Sequence, residues 1–218
     1  MPSPQGVWNS FVKLISSGSL LFAARNSLFR GFLGYAISLF FGIVLGLLQN
    51  SLSYFQRYVR PLTMGIQTLP SICWVPFSIL WFGLSEQAIV FVVIMGSVFG
   101  ISISVDNAIK NIIPIYRKVA LTMGANRRQI FFKVTIPAAL PEMISGLKQG
   151  WSFAWRALMS GEVMTTCIGL GQTLINGRNL ADINQVMLVM IVIVIVGIAI
   201  DWIIFGSIER LVYKRRGL

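Results

Sequence analysis

Read for groups that could do chemistry, the sequence offers few. It has no histidine, seven acidic residues, and two cysteines, Cys73 and Cys167, set far apart in different apolar segments. No two acids stand at a short spacing suited to metal binding or acid-base work. The cysteines imply no disulfide framework or metal site, and no G-x4-G-K-[ST] phosphate loop is present. Catalytic and metal-ligating residues are therefore expected to be absent. What stands out is a set of polar residues inside an apolar run. At about 100° per residue, Ser145, Lys148, Gln149, Ser152, Arg156, Ser160 and Glu162 fall within an arc of about 160° on one helix, with Leu147, Trp151, Ala154, Trp155 and Leu158 turned away. A charge near the bilayer centre costs about 2.5 to 3.5 kcal/mol on insertion scales, so Arg156 and Glu162 should face a cavity or a partner. The Arg156 guanidinium suits a passing oxyanion, which it can grip by paired hydrogen bonds. The competing reading is an internal ion pair of Arg156 with Glu162 or Asp201 that only stabilises the helix bundle. Lys148 lies nearer one end and can snorkel.

The elements that must carry these residues follow from composition. The chain has 218 residues, 56% of them apolar and only 11% charged, with a mean hydropathy of +0.77. Soluble domains carry roughly 25% charge, so a membrane class follows. The net charge of +11 would suggest nucleic acid in a soluble protein. Here the basic residues gather between apolar runs, where they report orientation, and no nucleic-acid partner is expected. A helix needs about 20 apolar residues to cross the hydrocarbon core. Five stretches qualify, at 28–49, 62–83, 87–105, 143–164 and 185–207. The fold class is an all-α membrane protein of five spans. Before them Val7 to Phe22 reads as an interfacial helix, because Trp8, Phe11, Leu14 and Ile15 are mixed with Lys13 and serines. Met1 to Asn9 lack the basic-then-apolar pattern of a cleaved leader, so the chain is expected to be kept whole.

Orientation rests on lysine and arginine. Twelve lie in the connections 50–61 and 106–142 and in the tail, against Lys13, Arg25 and Arg178 in the others. The first set belongs in the cytoplasm, with the N-terminus outside and the C-terminus inside. In the second span, Pro70 and Pro76 each remove a helix hydrogen bond and kink the axis, either to line a cavity or merely to pack.

The connection 106–142 is long and turns basic and amphipathic, which marks it as functional. Its centre reads as two short helices broken at Gly124, followed by Thr135 as a cap and Pro137 in the first turn of the next span. Such an element can offer a ridge to a cytoplasmic partner or grip anionic lipid.

At these residues a resemblance appears. Lys118-Val119-Ala120, Gly124 and Val134-Thr135-Ile136-Pro137 resemble the E-A-A-x3-G-x9-I-x-L-P loop of ABC importer permeases, type I inner-membrane components that depend on a binding protein. The leading acid is replaced by Lys118, and Ile136 stands where leucine is usual. The run RPLTMGIQTLPSICWVPFSILWFGLSEQAIVF and the segment GLGQTLINGRN resemble the nitrate, sulfonate, taurine and bicarbonate branch, and the likeness covers Asn26 to Leu211. Many members carry one further N-terminal span, so this chain is expected to begin after it.

The resemblance implies a permease subunit for a small anionic solute, working by alternating access in a bacterial inner membrane. It implies four kinds of partner: a second permease chain, two ABC ATPase subunits that bind the ATP and Mg, an extracytoplasmic binding protein, and membrane lipid. No cofactor is expected on this chain. The coupling residues would be Ala120, Thr122, Met123, Gly124, Ala125 and Asn126, with Arg127 and Arg128 adding charge pairing. The path would draw on Ser152, Arg156, Ser160, Glu162, Pro70 and Pro76. The implied layout is an N-terminal segment 1–27, a permease domain 28–211 and a basic tail 212–218. Two rivals stand beside it: a membrane scaffold that recruits an enzyme through 106–142, and an ion-driven secondary transporter, although no internal repeat is visible.

Overall fold

One helix organises the bundle. In a computed structural model that describes residues 3–214, α5 (Glu86–Lys110) runs through the middle, with α2 (Ser19–Ser51) on one side and α8 (Ile136–Met164) on the other. Its side chains Ile89, Val93, Ile101 and Val105 are fully buried. Lipid tails are as apolar as leucine, so helices in a bilayer gain little by hiding leucines and associate instead by close packing. Small residues line the contacts accordingly. On α2, Gly34, Ser38, Gly42 and Gly46 recur every fourth residue; a methyl group placed on Gly42 would lie 2.7 Å from Ile101 Cγ2, and one on Gly46 2.6 Å from the Ser102 carbonyl oxygen. On α8, Gly146 meets Ser104, and a methyl group on Gly150 would lie 2.5 Å from Ile101 Cγ1. Polar side chains join these surfaces, since unpaired donors are costly in hydrocarbon. Ser97 donates to Ser38 at 2.8 Å, Ser102 to Gln49 at 3.2 Å, and Gln49 to Thr63 at 2.8 Å.

Among the described residues, four helices are long and apolar enough to cross a membrane, and a broken pair brings the number to five. That pair is the second span. Its first half comprises a π-helical turn, Phe55–Val59, and α3 (Arg60–Gln67); its second comprises a 3-10 turn, Ser71–Cys73, and α4 (Trp74–Phe82). The halves meet at 95°, a sharper change than the two kinks expected from the prolines. Pro70, extended at φ −57° and ψ 137°, occupies the corner. Pro76 is exposed in the first turn of α4, where its missing N–H removes little.

The N-terminal helix α1 (Pro4–Ser16) ends at a left-handed Gly18, φ 68°, and α2 begins at Ser19, earlier than the expected start at 28. Three faces run along α1. Phe11 and Leu14 pack on the core, Trp8, Val12 and Ile15 are exposed apolar, and Gln5, Asn9, Lys13 and Ser16 are exposed polar. A helix so divided lies with one face on protein, one in hydrocarbon and one in water.

The fourth span also differs from expectation. The chain is helical from Arg127 to Met164, 38 residues, through α7 (Arg127–Ile130), a π-helical turn at Phe131–Thr135 and α8. Thr135 is therefore no cap: its backbone is helical and its buried hydroxyl has no partner among the described residues. The cap is Asn126, which accepts from the Gln129 N–H at 2.9 Å while Gln129 returns the bond to the Asn126 N–H at 2.9 Å. The widened turn falls just before Pro137, whose absent donor would break the regular ladder. After α9 (Leu170–Asn179), α10 (Ile183–Ile200) passes through a π-helical turn at Asp201–Phe205 into α11 (Gly206–Lys214). Of the tail expected at 212–218, residues 215–218 lie outside the described residues.

Gly42→Leu is expected to destabilise the bundle by about 2 kcal/mol or more, because the seam cannot yield. Gly65→Leu, which meets open space within 4 Å, should leave stability unchanged. Thermal melts of both variants in detergent check the difference.

Candidate functional site: a cavity at the broken span

The corner of the second span and the exposed face of α8 enclose a cavity of about 470 Å³, lined by Gln67, Thr68, Leu69, Pro70, Ser71, Phe153 and Arg156, among others. Its shape follows from the break: a continuous helix would fill this space. Gly96 approaches Ala157, so α5 and α8 close the inner wall. Arg156 is exposed into the opening, its guanidinium 5.0 Å above the Phe153 ring and its Nε donating to the Ser152 carbonyl at 3.2 Å. The same side chain borders a second cavity of about 300 Å³ with Ser152, Trp155, Gly197 and Asp201.

The charge pattern isolates Arg156. All seven acids of the chain are engaged elsewhere. Arg30 bonds Glu86 at 2.8 Å and Glu162 at 3.0 Å. Asp106 takes Arg60 at 2.7 Å and Lys110 at 2.8 Å. Lys148 pairs with Asp201 at 3.3 Å and Glu209 at 3.5 Å. Glu142 accepts from Asn111 at 2.6 Å, and Asp182 caps α10 by accepting from the Gln185 N–H at 3.1 Å. Arg156 has no acid within ion-pair distance among the described residues. Neither Glu162 nor Asp201 is its counter-ion.

Glu162 leaves the stripe to which the sequence assigned it. It is fully buried on the inner side of α8, where its carboxylate accepts from the Ser27 hydroxyl at 2.7 and 2.8 Å and from the Gly171 N–H at 2.9 Å, besides Arg30. The Gly169-Leu170-Gly171 segment wraps this carboxylate so closely that a side chain at Gly169 would overlap it. The glycines at these two positions thus have a physical reason. Ser27 also accepts from the Leu170 N–H at 2.9 Å, tying α9 to α2.

Of the expected path residues, the structure brings Arg156, Ser152 and Pro70 to the cavities. Ser160 is half-buried and donates to the Arg156 carbonyl at 3.1 Å. Pro76 lies outside both cavities. Arg30 went unremarked in the sequence, yet an arginine inside an apolar helix needs an acid at its own depth, and Glu162, near the same membrane face, meets that need.

The connection between α5 and α8 forms a separate exposed element. Helix α6 (Pro114–Thr122) ends in a Schellman turn: Gly124 is left-handed at φ 78°, its N–H bonds the Leu121 carbonyl at 3.0 Å, and the Ala125 N–H bonds the Ala120 carbonyl at 3.0 Å. Ala120 is buried, Thr122 donates to the Val119 carbonyl at 2.8 Å, and Met123 is 81% exposed at the tip. Asn126, Arg127 and Arg128 are exposed just past the turn. The elbow offers an apolar tip, Leu121 and Met123, flanked by two guanidinium groups.

Residues 38–216 match the family described as "Binding-protein-dependent transport system inner membrane component". Among curated proteins, the chain is 30% identical over 192 residues to one named as an ABC transporter permease in Methanocaldococcus jannaschii, covering 88% of this chain and 72% of that protein. It is 28% identical to one named as an aliphatic sulfonates transport permease in Bacillus subtilis (99% and 78%) and 27% identical to the nitrate import permease of Leptolyngbya laminosa (95% and 76%). Among solved structures, the inward-facing MetNI methionine ABC transporter has a chain at TM-score 0.72 and 23% identity, with 89% of this chain and 96% of that one covered. An amino acid ABC transporter gives 0.76 at 12% identity, with 92% and 97% covered. Both likenesses concern the fold. Given a match that runs from the second half of α2 to residue 216, the chain belongs to the inner membrane components of binding-protein-dependent transport systems, the permease subunits of ABC importers.

Proposed function

We propose that this chain forms half of the path of an ATP-driven importer for a small oxyanion, pairing with a second permease chain. The observation that carries the anion reading is Arg156, a guanidinium on a membrane helix that faces a cavity and has no acid within ion-pair distance among the described residues. Keeping such a charge uncompensated costs about 2.5 to 3.5 kcal/mol on insertion scales, a cost without return unless the group acts on something that passes. A planar fork of donors recognises a carboxylate, nitrate or sulfonate. Several relatives named for nitrate, sulfonates and bicarbonate carry anions of this kind.

The elbow at Gly124 is the proposed seat of a separate ATPase, which would hold the ATP and Mg. Its support is the exposed apolar tip and the closeness with which a partner can approach the Gly124 backbone. The excess of basic residues on this side of the membrane supports a cytoplasmic side for the elbow and the C-terminus, and hence an extracytoplasmic side, which a binding protein would meet, for α1 and α9.

Two variants test these assignments apart, in vesicles carrying the assembled transporter. Arg156→Ala should keep the ATPase bound but lower anion uptake at least ten-fold, the loss expected of a charge-assisted hydrogen bond of about 1.5 to 3 kcal/mol, with Arg156→Lys intermediate. Uptake unchanged in Arg156→Ala would overturn the anion reading. Gly124→Trp should abolish co-purification of the ATPase, since a side chain there is both strained at φ 78° and in the way. Retention of the ATPase at wild-type levels would remove the elbow from the coupling role.

A further inference from the structure

On the side of α5 away from α8, a groove of about 310 Å³ opens between α2, the end of α4 and the start of α5. Phe29, Leu33, Phe82, Phe91 and Ile94 make it apolar, and Glu86 and Gln87 stand at its mouth. Glu86 is the first residue of α5, directly after the turn that ends α4, and Trp81, near the end of α4 and packed edge-on to Phe91, is 68% exposed. Tryptophan and a helix start together mark the depth of the lipid headgroups.

The charge at the mouth is specific. Arg30 contributes one positive charge against the two carboxylates of Glu86 and Glu162, which leaves a net charge of −1. Glu162 is sealed inside the bundle, so the surplus sits on Glu86, whose side chain is 65% exposed. One Glu86 oxygen receives Arg30; the other bonds none of the described residues. Arg30 itself is only 2% exposed and holds an acid on both Nη atoms, so it is closed to an anion from outside. Gln87, exposed next to Glu86, carries an amide that can donate to a phosphate.

We propose that this groove holds a phospholipid with a primary-amine headgroup. One acyl chain lies along Phe29, Leu33, Phe91 and Ile94, the ammonium donates to the free Glu86 oxygen, and the phosphate accepts from Gln87. A quaternary choline cannot donate that hydrogen bond, and a glycerol headgroup brings only the phosphate's negative charge to a mouth already negative.

Native mass spectrometry of the full chain with phosphatidylethanolamine, phosphatidylcholine and phosphatidylglycerol in equal amounts provides the test. The wild type should retain phosphatidylethanolamine over the other two by roughly three- to five-fold, the scale of one exposed charge-assisted contact. Glu86→Gln should abolish that preference while Glu162 still holds Arg30 in place, and Ile94→Trp should lower retention of all three lipids by filling the groove. Equal retention of the three lipids by the wild type, or an unchanged preference in Glu86→Gln, overturns the proposal. So does a cross-link between cysteines introduced at Leu33 of two copies, which would make the occupant a protein.

Discussion

The bundle depends on how closely three helices approach one another. Water is absent from the hydrocarbon core, so nothing drives leucines together, and contact must come from shape. Along α5 the neighbouring backbones come so near that one methyl group would collide with Ile101 from either side, at Gly42 and at Gly150. Everything else is arranged around that triple contact. The cavity exists because α8 is held against α5 by small residues on one face and is free on the other.

A second constraint acts through charge. With few acids and many bases, the chain uses most of its carboxylates to neutralise a base, with Asp182 capping a helix and Glu142 accepting from Asn111. The Arg30–Glu162 pair also organises the outer end of the bundle, because the same carboxylate accepts the Gly171 N–H and so fixes the start of α9. Removing one partner of a buried pair leaves a bare charge, which is why such pairs couple the elements they join. Arg60–Asp106 does the same at the other end, tying α3, the lower half of the broken span, to α5.

Much of this was legible in the sequence, for reasons that can be given residue by residue. Apolar runs of membrane length located the spans, and Gly124 gave away the elbow because only glycine turns a helix end so cheaply. Three features were hidden. A proline announces a missing donor but not the angle that follows, so the 95° corner at Pro70 read as a kink. Glu162 lies six residues after Arg156, about 120° around the helix, at the edge of the polar arc, and only the position of Arg30 on another helix decides which way it turns. The extension of α8 down to Asn126 was masked by Pro137, which looks like a helix start and instead follows a widened turn within a continuous helix.

That continuous helix has a mechanical consequence. Thirty-eight residues make a rod of about 57 Å, nearly twice the hydrocarbon thickness. Its lower end is capped by Asn126 beside the elbow, Arg156 sits in its upper half, and Glu162 is fastened near its tip. A tilt of about 5° about the midpoint carries each end about 2.5 Å in opposite senses, by the geometry of a rod that rises 1.5 Å per residue. The π-helical turn at Phe131–Thr135 interrupts the regular ladder near the lower end of this beam, so a bend there would leave the longer segment above it, with Arg156 and Glu162, to turn as one piece.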